Sequence, residues 1–310
     1  LAFLMIIFYY LYVKKTFPYC VFVIQKDKVL YQETLSYSGW DLLGNFSVVA
    51  QQQGMYMLLN IFFGPVVNAA QAIALQVQGA ISQFGNSFMM ATRPQIIKYY
   101  ASGENEKMMK LVFNSSKYSF YLMWLLTLPL LIETKYILEL WLKNVPNLTV
   151  VFLQIVLVTN LVSSIRNPFI TVMHATGKIK LPALICGTLL ISALPISYLS
   201  LKLGYPSESV FLITLIITFI SMWIEWVLVR RMVFFSIYKV VVNVLLKVIF
   251  VVLISAVLPG FILYYLEAGF TRLSIVSLLS ILSVTVTVYF FGIGDDERSF
   301  IKNKIKVFVR

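Results

Sequence analysis

Arg166 makes the sharpest chemical demand in this sequence. It lies within the apolar segment 148–173, and an arginine at membrane depth costs about 2.5 to 3.5 kcal/mol even on insertion scales. Position alone leaves two outcomes. The guanidinium faces a bundle interior or an anionic ligand, or it snorkels to the headgroups, because about two helical turns separate it from the loop at Gly177. Asp41 and Glu225 could be cation sites. Each lies near the end of an apolar run, after a polar segment or beside Arg230 and Arg231, so an interfacial carboxylate is the expectation for both. His174 alone offers too little for a metal site or a nucleophile–base pair. Cys20 and Cys186 are far apart and belong to no CxxC spacing, so neither a disulfide nor a zinc framework is expected. Asp295, Asp296 and Glu297 form a carboxylate cluster without metal partners and read as a solvated helix edge.

The uncharged polar residues carry more information. Between Asn68 and Asn86 the chain holds six carboxamides, and moving an amide out of water without a partner costs roughly 0.5 to 2 kcal/mol even on lenient scales. At about 100° per residue, Asn68, Gln71, Gln76, Gln78, Ser82, Gln83, Asn86 and Ser87 share about half the circumference of a helix. Ile73, Val77, Ile81, Phe84 and Phe88 form the opposite stripe, which is expected to face lipid. The amides either bond neighbouring helices together or line a hydrated cavity, and their number along the full membrane depth favours the cavity. Further stripes support it. Asn160, Ser163, Ser164, Asn167, Thr171 and His174 fall within about 100° on one helix, with Arg166 at the edge. Thr214, Thr218, Ser221 and Glu225 occupy a strip of about 60°, and Asp41, Asn45, Gln52 and Tyr56 another.

The elements that must carry these stripes are membrane helices. Hydrophobic residues make up 60% of the chain and charged ones 12%, and several apolar runs reach the roughly 20 residues that cross the hydrocarbon as a helix. The fold class expected is an all-α polytopic membrane protein. Spans are expected near 38–62, 66–92, 111–132, 148–173, 181–201, 208–229, 240–266 and 271–292, separated by turn residues at Gly64-Pro65, Val145-Pro146-Asn147, Ala175-Thr176-Gly177 and Gly204-Tyr205-Pro206. Residues 1–13 read as the end of an incomplete transmembrane helix, 14–37 as a cytoplasmic or interfacial linker, 38–239 as a six-helix unit, and 240–310 as two further helices with a basic tail. The final two helices lack polar stripes and should lie away from any cavity.

The net charge of +12 has to be read by location. Alternate connections differ sharply: one set holds Lys14, Lys15, Lys26, Lys28, Arg93, Lys98, Lys107, Lys110, Lys117, Lys178, Lys180, Arg230, Arg231, Lys239, Lys247 and the tail from Arg298 to Arg310. The other set holds Lys135, Lys143, Lys202 and Arg272. The positive-inside rule puts the first set and the C-terminus in the cytoplasm, so nucleic acid is not an expected partner. Residues from Pro94 to Lys110 and the tail mix aromatics and aliphatics with lysines and are expected along the inner membrane surface.

The stretches Gly64-Pro-Val-Val-Asn68-Ala-Ala-Gln-Ala-Ile-Ala-Leu-Gln-Val77, Arg93-Pro-Gln-Ile-Ile-Lys-Tyr-Tyr-Ala-Ser-Gly103, Ile137-Leu-Glu-Leu-Trp-Leu142, Val145-Pro146 and Ala175-Thr-Gly-Lys178 are similar, in order and in placement at helix ends, to the polysaccharide transporter branch of the MATE-like flippase superfamily. The resemblance runs along essentially the whole chain, with Lys143 standing where relatives commonly have glycine. It implies the second six-helix lobe and the two C-terminal helices of a fourteen-helix bundle in a bacterial inner membrane. It also implies transport of undecaprenyl-pyrophosphate-linked oligosaccharide, for O-antigen, capsule or exopolysaccharide, by alternating access. Partners would be that lipid-linked substrate, membrane lipids, a coupling cation and polysaccharide assembly proteins; no cofactor and no enzymatic activity are implied. The residues matching a cavity in that picture are Asp41, Asn45, Gln52, Asn68, Gln71, Gln78, Ser82, Gln83, Asn86, Asn160, Arg166, Asn167 and Glu225, with Arg166 suited to the pyrophosphate because a guanidinium meets phosphate oxygens in pairs. Rival expectations are a drug or cation antiporter, which needs mid-membrane carboxylates, a membrane polymerase or glycosyltransferase, for which the outer loop near Glu133 to Asn147 is small, and a half-length chain with no activity of its own.

Overall fold

Every run that the sequence marks as a span is helical, and no strand occurs among the described residues. A computed structural model describes residues 2–19, 27–294 and 297–299. Cys20, Asp295, Asp296 and the tail from 300 onward lie outside the described residues. The chain divides into the units Leu1–Gly39 and Trp40–Arg310. In the first, α1 (Ala2–Thr16) continues through Lys14 and Lys15, and α2 (Lys28–Phe63) begins well before the expected start near 38. Asp27 explains the early start. Its carboxylate accepts the Val29 and Leu30 backbone N–H groups at 2.9 and 3.2 Å, satisfying donors that a helix start leaves orphaned.

The second unit holds the rest of α2 and then α3 (Pro65–Ala101), α4 (Asn105–Ile132), α5 (Thr134–Trp141), α6 (Thr149–Thr176), α7 (Lys180–Lys202) and α8 (Glu208–Met232). A short α9 (Ile237–Val240) runs through a π turn (Val241–Leu246) into α10 (Lys247–Tyr265), and α11 (Phe270–Thr287) ends in a second π turn (Val288–Gly292). Gly64 lies between α2 and α3 with φ 78°, and Gly177 caps α6 with φ 69°; both are left-handed conformations that a side chain would strain. The segment from Pro94, expected along the inner membrane surface, is helical to Ala101 and again from Asn105. Pro94 lies inside α3, and the burial of Met89 and Ile96 on either side holds the helix through a residue that normally interrupts one.

Five stretches, α6, α7, α8, Ile237–Tyr265 and Phe270–Gly292, are each long and apolar enough to cross a membrane, and α4 with α5 is a sixth if that pair, bent by 81°, is one span. The chain is an all-α polytopic membrane protein. The α2 and α3 helices reach the length expected of two further spans, at 36 and 37 residues, but their amides and hydroxyls lower the hydropathy, so the expected eight falls to five or six by this criterion.

Helix α6 is the centre of the unit and packs against α3, α4 and α8. Phe152, Phe169, Met222 and Trp226 are almost wholly buried in that core, with the Phe169 and Trp226 rings 5.7 Å apart. The hairpin of α10 and α11 packs on α4, where the Trp124 indole N–H donates to Ser255 Oγ at 2.9 Å. At the α4–α5 bend the buried Glu133 carboxylate receives Arg272 Nε and Nη2 at 2.7 and 2.8 Å. The bend is thereby clasped to the start of α11.

Helices α2 and α7 meet through glycine notches. A Cβ at Gly187 would stand 2.8 Å from Ser47 Oγ, and one at Gly54 would stand 2.5 Å from Leu194 Cδ2, whereas at Gly79 it would meet nothing within 4 Å. Gly187→Leu should therefore lower stability by about 1 to 3 kcal/mol through overpacking, while Gly79→Ala should stay within about 0.5 kcal/mol. Unfolding midpoints in detergent measure both, and equal losses would count against the notch.

Candidate functional site

The guanidinium of Arg166 on α6 meets the carboxylate of Glu225 on α8 in a two-pronged pair. Nε donates to Oε2 at 2.9 Å and Nη2 to Oε1 at 2.5 Å. Arg166 is 9% exposed and Glu225 3%, so Arg166 does not snorkel and Glu225 is not the interfacial carboxylate that its neighbours Arg230 and Arg231 suggested. The physical reason is mutual. Either charge alone among apolar helices carries a desolvation penalty of several kcal/mol, which the planar fork offsets when a carboxylate faces it squarely. Two polar stripes on packed helices, one with a cation and one with an anion, were the signal in the sequence.

Two cavities meet at this pair. The first, of ≈ 370 Å³, is walled by Gln51, Gln52, Gln71, Gln78 and Asn167 and by the hydroxyls of Thr159, Ser163, Thr214 and Thr218, together with apolar residues. The second, of ≈ 280 Å³, is lined by Trp40, Asp41, Asn45, His174, Cys186 and Glu225 among others. Val48, Arg166, Ile170 and Leu190 border both. Arg166 is thus reachable from either cavity and Glu225 from the second. In that second cavity the Asn45 amide donates to the Asp41 backbone carbonyl and carboxylate at 3.0 and 3.1 Å, and His174 Nδ1 stands 3.9 Å from Asp41 Oδ1.

Of the residues singled out in the sequence, Gln52, Gln71, Gln78, Arg166 and Asn167 line the first cavity, and Asp41, Asn45, Arg166 and Glu225 the second. The other five do not line either. Ser82 donates its hydroxyl to Asn160 Oδ1 at 3.1 Å, a bond between α3 and α6 of the helix-joining kind. Asn68 is half-buried, and its side-chain oxygen has no partner among the described residues. Gln83 and Asn86 lie on the exposed face of α3 with Gln76 and Ser87. The stripe expected to face lipid is also corrected: Ile81 is buried, and Ile73 and Val77 pack against the core. The apolar side of α3 turns inward because α6 and α4 present their own apolar surface to it, and that burial outweighs contact with lipid-like surroundings. Phe84 alone of the five is exposed, at 53%. Gln51, 7% exposed, was missed because it stands beside the Gln52 strip rather than on it.

Gln71 Oε1 and Asn160 Nδ2 are buried without a partner among the described residues, so the wall between α3 and α6 has hydrogen-bonding capacity in reserve. No group of three or more His, Cys, Asp or Glu that could hold a metal ion occurs among the described residues. The site is therefore an amide- and hydroxyl-walled chamber with one buried, pre-oriented guanidinium and its carboxylate. It can bind polar or anionic groups, and it can exchange one anionic partner of Arg166 for another.

Breaking the pair on one side should cost more than removing both charges. Arg166→Met or Glu225→Gln alone should lower stability by about 3 to 5 kcal/mol, and Arg166→Met combined with Glu225→Met should recover most of it. Thermal midpoints with membrane abundance measure this, and strictly additive losses would mean that the two groups are not coupled. Neither a family model, nor a curated protein, nor a solved structure matches the chain.

Proposed function

We propose that the chain is part of a transporter that moves a polyprenyl-pyrophosphate-linked oligosaccharide across a bacterial inner membrane by alternating access, with its C-terminus in the cytoplasm. The single observation that carries this reading is Arg166, a guanidinium held at the junction of two cavities. A diphosphate is the ligand whose oxygens match the fork that Glu225 now occupies. The amides of Gln52, Gln71, Gln78 and Asn167 suit sugar hydroxyls, which both donate and accept. The orientation rests on the lysine and arginine asymmetry between alternate connections.

The pair changes the mechanism from simple capture to exchange. An entering diphosphate has to displace the Glu225 carboxylate from the guanidinium, so substrate and Glu225 compete for the same two prongs of Arg166. A second reading, a cation-coupled antiporter of small molecules, gains from the same observation, because Glu225 is a buried carboxylate of the kind such an exchange needs.

Surface polysaccharide restored in a flippase-deficient strain tests the first reading. Arg166→Lys should keep part of the activity, since it retains charge without the fork. Arg166→Ala, read alongside membrane abundance, should weaken substrate binding by about 1.5 to 3 kcal/mol, roughly tenfold to over a hundredfold. Full complementation by Arg166→Ala at normal abundance would sink it. Loss of drug efflux but not of polysaccharide in Glu225→Gln would favour the antiporter. Cysteines at Ser102 and Ser207 should label from opposite sides, the first from the cytoplasm, and labelling from one side would overturn the orientation.

A further inference from the structure

The second cavity holds a polar cluster that the Arg166–Glu225 pair does not use. Trp40, Asp41 and Asn45 of α2 and His174 near the end of α6 line it together. The Asp41 carboxylate is held from its own helix, because the Asn45 amide donates both to Oδ2 and to the Asp41 backbone carbonyl. Its other oxygen, Oδ1, stands 3.9 Å from His174 Nδ1, beyond hydrogen-bond reach. The two side chains are 40% and 45% exposed, so a ligand in the cavity can reach both. The half-buried Trp40 indole borders the same space, with the exposed Lys180 ammonium 5.3 Å from its ring centre.

An indole beside a carboxylate, an amide and an imidazole suits a sugar ring. The C–H face of the sugar is apolar and lies on an aromatic surface, while its hydroxyls both donate and accept. A hydroxyl that donates to Asp41 Oδ1 and meets the imidazole fills the gap between them. An organic cation fits less well, because Arg166 on the cavity wall and Lys180 beside the indole are both cationic. Position agrees with the chemistry. The rise of α6 from Arg166 to His174 is about 12 Å, a distance that sugars next to a diphosphate on Arg166 can span. In the orientation proposed above, this cavity lies on the cytoplasmic side of Arg166.

We propose that Trp40, Asp41, Asn45 and His174 form a sugar-binding subsite that receives the glycan from the cytoplasmic side, before it passes the Arg166–Glu225 pair into the amide-walled cavity. The assignment rests on the transport reading above and adds to it the residues that select for the sugar rather than for the lipid diphosphate. Trp40 supplies the stacking face. Asp41 accepts hydroxyl protons on the oxygen that its own helix leaves open, and Asn45 fixes the carboxylate while keeping its side-chain carbonyl for a further hydroxyl. Arg166 remains the diphosphate ligand, so recognition of the two parts of the substrate is divided between residues that can be changed separately.

The test uses the full-length protein purified in detergent and titrated with undecaprenyl pyrophosphate, either bare or carrying a glucose disaccharide, and with tetraphenylphosphonium, the bound ligand being read by native mass spectrometry. The wild type should hold the glycosylated lipid more tightly than the bare one. Asp41→Asn and Trp40→Leu should each weaken the glycosylated lipid about tenfold, the loss expected for one charge-assisted bond, and leave the bare lipid unchanged. Arg166→Lys should weaken both lipids, and Gln83→Ala neither. If Trp40→Leu does not accumulate, Asp41→Asn carries the comparison. Equal affinity of the wild type for the two lipids, unchanged affinity for the glycosylated lipid in Asp41→Asn, or equal weakening of both lipids would overturn the subsite and leave the transport reading in place. Failure of the wild type to bind either lipid would overturn the transport reading and the subsite with it. Tetraphenylphosphonium bound by the wild type and lost in the same variants, without preference between the lipids, would assign the cluster to organic cations instead.

Discussion

A guanidinium inside a bundle of apolar helices fixes the positions of everything that must satisfy it. Arg166 can be kept on α6 because Glu225 on α8 meets both prongs, and that meeting in turn fixes the rotation of α8 and the depth at which α6 and α8 cross. Once α8 is so rotated, Thr214 and Thr218 face the same chamber as Asn167 and Ser163. The polar walls follow from one charge pair rather than from many independent choices. The same logic recurs at a distance, where Glu133 and Arg272 pin the bend between α4 and α5 to the last hairpin. Each buried charge among these four has a partner from a segment remote in sequence, so tertiary order and charge neutrality are the same requirement.

The chamber is built unevenly. One side, from α6 and α8, is rigid: large buried aromatics stand behind it, and the Arg166–Glu225 pair crosses it. The other side, from α2, rests on α7 through glycine notches and on contacts such as Phe62 with Tyr198. Pro168 lies two residues after Arg166 in α6, and Pro195 lies in α7. Each removes a backbone N–H from its helix ladder, and bending is least costly where a ladder is already interrupted. The charge pair thus lies between a well-packed wall and one held by small surfaces.

The helices were legible from the sequence because apolar length and turn residues are local properties. Gly64-Pro65, Gly177 and Gly204-Tyr205-Pro206 mark real breaks. Helix ends were less legible: α2 is extended by the Asp27 cap and α3 by packing around Pro94, and neither effect appears in a hydropathy window. At the site, the stripes identified which residues are polar together but not which way a helix turns. On α3 the amide face spans half the circumference, so Gln71 and Gln78 reach the chamber while Gln83 and Asn86 do not. Arg166 and Glu225 were each placed on or beside a polar stripe, but neither was given the other as its partner. Their pairing needs the crossing of α6 and α8, which is a long-range fact that no local spacing encodes.

The outward amides of α3 have a consequence for how the protein is made. A helix enters hydrocarbon from the translocon according to its own apolar content, and α3 carries carboxamides both toward the chamber and on its exposed face. Its gain from lipid is therefore small, and α2 shares the deficit. The helices that follow, α6 to α8, are apolar enough to be held by lipid on their own account. Biosynthesis thus meets the hesitant segments before the committed ones, and α3 acquires its stable depth when α6 arrives beside it and the Ser82–Asn160 bond can close.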